Sequence, residues 1–141
     1  MDWKLELVAI PVADVDRAKA FYTEQVGFVA DHDHRVSEEI RFVQLTPPGS
    51  ACSIALGKGV TDAPPGSVQG VQIVVSDIHA AHDELAGRGV EVSDVRHFDR
   101  AKREWQPGPD PEHGDYASFA DFEDPDGNGW VLQEVRVGKG A

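Results

Sequence analysis

Cysteine is nearly absent from this 141-residue chain: Cys52 is the only one, so no internal disulfide can form. Basic residues are scarce too, 13 Lys and Arg against 25 Asp and Glu. The formal charge of −12 would repel a phosphate backbone or an anionic bilayer surface. Neither nucleic acid nor membrane is expected as a partner. No apolar run approaches the roughly 20 residues that span a bilayer, and the first residues carry no charged-then-apolar export pattern. A reducing cytoplasm is the expected location. The length suits one folding unit rather than two independent domains of ordinary size.

What is present reads as strands and two helices in a repeated order. Trp3 to Val12 alternates and is β-prone. Asp14 is placed to cap a helix in which Val15, Ala18, Phe21 and Tyr22 share a stripe, and Gly27 stops it. Phe28 to Arg35 and Ile40 to Thr46 follow as a strand pair turned at Ser37-Glu38-Glu39, then Ala51 to Leu56 as another strand. Gly57 to Ser67, rich in Gly and Pro, is a connector.

After it the pattern restarts. A shift of 63 positions lays Val8 on Val71, Ile10 on Ile73, Val12 on Val75, Asp14 on Asp77, Val15 on Ile78 and Ala18 on Ala81, five of the six being identities. Strand alternation, helix cap and first apolar helix positions are preserved together. The second copy continues with a helix from Asp77 to about Arg88 stopped by Gly89, a strand from Val90 to about Arg96, and a polar excursion from His97 to Asp115. It ends in a hairpin of Tyr116 to Phe122 and Trp130 to Val135, reversed by Asp124 to Gly129, where Pro125 presets φ and Asn128-Gly129 tolerates positive φ. Gly138 to Ala141 is expected to fray.

The expected fold is therefore α+β, two βαβββ modules forming a curved mixed sheet around a shared cavity. Module one covers 3–57, a linker 58–67 and module two 68–137. Val8, Ile10 and Val12, like Val71, Ile73 and Val75, should pack under the helices. Leu5, Leu7 and Ala9, then Gly70, Gln72 and Val74, should line the hollow, with the Gln133 amide entering it beside that of Gln72.

This arrangement resembles the vicinal oxygen chelate superfamily of glyoxalases, extradiol dioxygenases, bleomycin-binding and fosfomycin-resistance proteins. VAIPVADVDRAKAFYTEQVGF (Val8 to Phe28), VQIVVSDIHAAHDELAGRGV (Val71 to Val90) and FEDPDGNGWVLQEV (Phe122 to Val135) carry the resemblance, which covers nearly the whole chain. In metal-dependent members, the resemblance implies, a His or Gln begins each module's first strand, seven residues before the capping Asp, and a Glu sits in each last strand. The matching positions here are Leu7, Gly70, Ala55 and Gln133. Three of these offer no side-chain donor, and a divalent ion needs three or four converging ligands. No cofactor is expected, a divalent metal held by unconventional ligands being the disfavoured alternative.

Other residues are weighed against plainer readings. His32 and His34, two apart on a strand, share a face, a spacing compatible with metal, but a solvated edge is the simpler account. His79 and His82 belong to a helix surface. Asp124 to Asn128 contains oxygen ligands, yet turn chemistry explains every residue. Glu6, Glu123 and Glu134 are assigned to the outer, helix-covered rows or to exposed ones. His97 and His113 flank the excursion and are the candidate acid and base, His being the residue type used for proton transfer at neutral pH. Trp105, a large aromatic in that excursion, must find cover either over the cavity or against a sheet edge.

The resulting expectation is a cavity lined by Leu7, Phe42, Ala55, Gly70, Gln72, Trp105, Tyr116 and Gln133 that binds a small, largely apolar organic molecule in a homodimeric protein. By the resemblance, this is a metal-independent lyase or isomerase, with His97 or His113 moving a proton. The alternative is a non-catalytic binder of an antibiotic or metabolite, with Trp105 and Tyr116 stacking on it. There the net negative charge would favour cationic ligands.

Overall fold

A computed structural model describes residues 1–136, and the expectations placed on residues 137–141 lie outside the described residues. The chain divides into two compact units. One holds Met1–Gln69 with Asp124–Asn128, and the other Gly70–Glu123 with the residues from Gly129 onward.

In the first unit the strands are β1 (Leu7–Ala9), β2 (Val29–Arg35), β3 (Arg41–Thr46) and β4 (Ser53–Lys58), in the order β1-β4-β3-β2. β1 runs parallel to β4 and the other pairs are antiparallel. The first strand is shorter than its alternation suggests. Pro11 has no N–H to extend the ladder, and Trp3 and Leu5 lie exposed before it. Helix α1 (Val15–Ala20) starts where the side chain of Asp14 accepts the Arg17 N–H. It passes into a π-helical turn, Phe21–Val26, closed by Gly27 at φ 95°. Val15, Ala18, Phe21 and Tyr22 are all buried, as their stripe requires, and they share the core with Ile10, Phe28, Val43, Leu45, Ile54 and Leu56.

The turn Asp124–Asn128 completes this unit. Asp124 Oδ1 accepts the N–H groups of Asp126 (3.0 Å) and Asn128 (2.9 Å), while Oδ2 accepts the Tyr22 hydroxyl (2.7 Å) and the Asn128 amide (2.8 Å). Asn128, fully buried, donates also to Pro11 O and accepts from Val68 N. Every oxygen of Asp124 is thus committed to holding chain segments together.

In the second unit β5 (Val71–Val75), β6 (Arg96–Asp99), β7 (Glu104–Pro107), β8 (Ser118–Glu123) and β9 (Gly129–Glu134) form a sheet in the order β5-β9-β8-β6-β7. Its first four members repeat the order of the other sheet, including the parallel pair β5-β9. Helix α2 (Ile78–Gly87), capped by Asp77, packs on β8 and β9. Two expectations change here. Val90 to Arg96 is not a continuous strand: Val90 and Val95 are buried, but only Val92 bridges Phe122, and pairing resumes at Arg96. The polar excursion is not structureless either. It contains a hairpin, β6 against β7, in which Phe98 pairs with Trp105 and the Asp99 carboxylate accepts the Ala101 and Lys102 N–H groups at its tip. One aromatic per strand, flanked by charge, supplies a ladder that reads as loop in composition. Among the described residues no helix is long and apolar enough to cross a membrane.

Candidate functional site

Pleating assigns the second sheet's residues to two faces. Trp130, Leu132 and Glu134 share a face with Ala120 and Phe122, the side on which α2 packs. Gln72, Val74, Val131, Gln133, Phe119, Asp121, Arg96, Phe98 and Trp105 fall on the other by register. Gln72 and Val74 are exposed, and Gln133 is buried with its amide donating to Tyr116 O at 3.3 Å.

On this second face lies an aromatic hollow of about 410 Å³, lined by Phe98, Arg100, Trp105, Tyr116, Ala117 and Phe119. Trp105 is its centre. Its ring centroid is 5.5 Å from those of both Phe98 and Phe119, edge-on to the latter, and the Arg96 guanidinium stands 5.1 Å from it. These contacts hold the indole in place while leaving it 52 % exposed, with Phe98 at 43 % and Tyr116 at 46 %. Three half-bare rings around one concavity form a surface that water solvates poorly and a flat apolar molecule would cover well. Tyr116 adopts φ 63°, its N–H fixed on Glu134 O at 2.8 Å. A backbone conformation unusual for a bulky residue, beside a hollow, fits a constrained site.

The two candidate acid-base histidines lie elsewhere. His97 alternates with Arg96 and Phe98, so it shares Ser118's face and not that of Trp105. Its Nδ1 donates to Gly108 O at 2.9 Å, which leaves Nε2 as the acceptor in the neutral ring. His113, at φ 50°, places Nδ1 2.9 Å from Oε1 of Glu134. Of the two rows expected for Glu134, the outer or an exposed one, it takes the outer, opposite Val75 on the helix side, and is 1 % exposed there. Burial alone would raise its carboxyl pKa, but the Ile78 N–H at the start of α2, His113 and Arg136 together hold it below the ordinary value.

In the first unit, Leu7, Ala9, Ser53 and Ala55 share a face with Phe42 and Gln44, and His32 and His34 join them through pairing with Gln44 and Phe42. The two imidazoles stack at 5.8 Å. Gly70 is exposed at φ 78° with open space where a Cβ would project. The internal registers also settle which last-strand positions correspond. Val8 pairs with Ile54 and Val71 with Trp130, so the counterpart of Ala55 is Val131, and Gln133 corresponds to Gly57. Leu7, Gly70, Ala55 and Val131 all lack a metal-ligating side chain. Among the described residues no three His, Cys, Asp or Glu side chains converge as a metal would require.

The structure thus brings Gln72, Trp105 and Gln133 to one face, with Tyr116 beside Trp105, and keeps His97 on the other side. Phe98, Phe119, Arg96 and Arg100 were not singled out from sequence. The signal for them was the alternation Arg96-His97-Phe98 opposite Glu104-Trp105-Gln106.

Residues 4–132 match the family model described as the Glyoxalase/Bleomycin resistance protein/Dioxygenase superfamily. YetH, an uncharacterised protein of Bacillus subtilis, is 25 % identical over 90 % of this chain and 94 % of its own. Among solved structures, TnmS3, an antibiotic-binding protein from Streptomyces sp. CB03234, is 31 % identical with a TM-score of 0.72, covering 94 % of this chain and 96 % of that one. A superfamily member from Sphaerobacter thermophilus is 27 % identical with a TM-score of 0.73, covering 95 % and 98 %.

Proposed function

For a chain that belongs to the glyoxalase/bleomycin resistance protein/dioxygenase superfamily, we propose a non-catalytic role: binding a planar aromatic small molecule, of the size of an antibiotic or secondary metabolite, against Trp105. The observation that carries this reading is the hollow of half-exposed rings held in place by one another. Its volume falls within the range of small-molecule sites. A ligand of about 25 non-hydrogen atoms at about 0.3 kcal/mol each would reach a Kd of a few micromolar. The likeness to a protein described as antibiotic-binding supports binding over turnover. Gln72 and Gln133 on the same face would supply polar contacts at its margin, and no resident ion is needed. The binder is read as a cytoplasmic homodimer, and light scattering tests the second of these properties.

The test is a fluorescence titration of the native protein with a panel of planar aromatic compounds, repeated on Trp105→Ala. Binding that falls at least tenfold in the variant supports the reading. Equal affinity in both proteins, or no member bound at millimolar concentration, overturns it.

A second reading rests on the pairing of His113 with buried Glu134. A carboxylate accepting from Nδ1–H fixes the tautomer that leaves Nε2 as the free acceptor, as a general base of a lyase or isomerase requires. Turnover of any bound compound that disappears in His113→Ala while binding persists would favour it.

A further inference from the structure

The hollow is not electrically neutral, and its charge runs against that of the chain. Arg100 forms part of its wall. Among the described residues its guanidinium has neither a hydrogen bond nor an ion pair, although the protein carries 25 Asp and Glu against 13 Lys and Arg. The β6-β7 hairpin, 96–107, contains Arg96, Arg100, Lys102 and Arg103 against only Asp99 and Glu104. Both carboxylates are already engaged: Asp99 accepts two N–H groups of the hairpin tip, and Glu104 accepts the Gln106 amide at 2.8 Å. Register places both on the face opposite Phe98 and Trp105. Register puts Asp121 and Glu123 on the aromatic side of β8; Asp121 faces Arg96 at 3.4 Å, and neither carboxylate lines the hollow. Arg96 is therefore compensated while Arg100 is not.

We infer that the hollow selects planar aromatics bearing an acidic group, such as a carboxylate, with the Arg100 guanidinium as its partner. The inference rests on the stacking reading and specifies its ligand class. It reverses the preference for cations that net charge alone suggests. Charges more than about 8–10 Å away are largely screened at physiological salt, whereas a guanidinium in contact with the ligand acts through a fork of N–H groups matched to a carboxylate. The apolar ring wall on one side excludes water and strengthens that contact.

Three matched probes test it: 2-naphthoate, 2-naphthamide and 2-naphthylmethylammonium, titrated into the native protein, Trp105→Ala and Arg100→Gln at low and high salt. Naphthoate is expected to bind about three- to tenfold more tightly than naphthamide, with the ammonium weakest. Arg100→Gln should remove that advantage, weakening naphthoate more than naphthamide, and salt should weaken naphthoate more than naphthamide. Because Arg100 is exposed at a hairpin tip, its variant should keep the native melting temperature. If all three probes bind equally through Trp105, the charge inference fails and the stacking reading stands. If the ammonium binds best, or naphthoate ignores Arg100→Gln, the inference is likewise overturned. If no probe binds, both fall.

Discussion

Nδ1 of His113 stands 2.9 Å from Oε1 of Glu134, a carboxylate buried at the start of α2 whose other oxygen accepts the Ile78 N–H at 3.0 Å. The environment lowers the carboxyl pKa, so the charged form is the stabilising one. Its contribution is complete above the unfolded value of about 4.3 and is lost as pH falls through the lower folded value. Glu134→Gln should cost about 1–3 kcal/mol at pH 7, and the difference from native should shrink on acidification below pH 4. Urea denaturation at pH 7 and pH 3.5 measures both.

Tyr22→Phe deletes one oxygen from a core that uses it. The hydroxyl donates to Asp124 Oδ2 at 2.7 Å, and the carboxylate cannot find water in its place. A loss of about 1–3 kcal/mol is expected in the urea midpoint, with the slope unchanged.

Arg41 grips Asp33 with two parallel N–H bonds, Nε to Oδ1 at 3.0 Å and Nη2 to Oδ2 at 2.9 Å, and reaches Asp16 with Nη1. Hydrogen bonding from Arg41, then from Lys19, holds the Asp33 carboxyl well below the usual range, while bonding to Asp33, then to Asp16, raises Arg41 further above its own. A lysine cannot reproduce the fork. Arg41→Lys should therefore cost about 1.5–3 kcal/mol. Since pH 4.5 still lies above the unfolded aspartate value of about 3.9, that cost should be the same at pH 7 and pH 4.5.

Gly57 has φ 155°, and a Cβ there would lie 1.9 Å from Arg41 O. Gly57→Ala must push β3 and β4 apart, costing about 2–4 kcal/mol in strain and overpacking. Gly49→Ala, at φ 83° with open space around it, should lose only about 1 kcal/mol. Melting temperatures of the pair separate collision from backbone strain.

Much of the scaffold was legible because short-range chemistry dictates it. Asp14 and Asp77 cap both helices, Gly27 ends the first, and the 63-residue shift that aligns them also predicts two sheets with the same strand order. The β6-β7 hairpin was not legible: Pro and Gly on its flanks mask a ladder only four residues long per strand, and the Phe98-Trp105 pair that stabilises it is a cross-strand contact. Glu134 reads as a surface residue by type. Only the arrival of Ile78 N–H and His113 from distant positions makes its burial tolerable. Gln72 and Gln133 were readable as candidates for one face and Trp105 only as an aromatic in need of cover, whereas Arg100 was obscured by a net charge that describes the whole chain and not its neighbourhood.

The Asp124–Asn128 turn has a consequence for biosynthesis. Because Asp124 and Asn128 complete the unit that begins at Met1, a nascent chain released only as far as Gln69 still lacks the carboxylate that accepts from the Tyr22 hydroxyl and the side-chain amide that bridges Pro11 O and Val68 N. Emergence of the first half from the ribosome is then not enough to secure its core. That half becomes fully native only when translation has passed residue 128, so a gene split at the connector should give an amino-terminal fragment that relies on chaperones or is degraded.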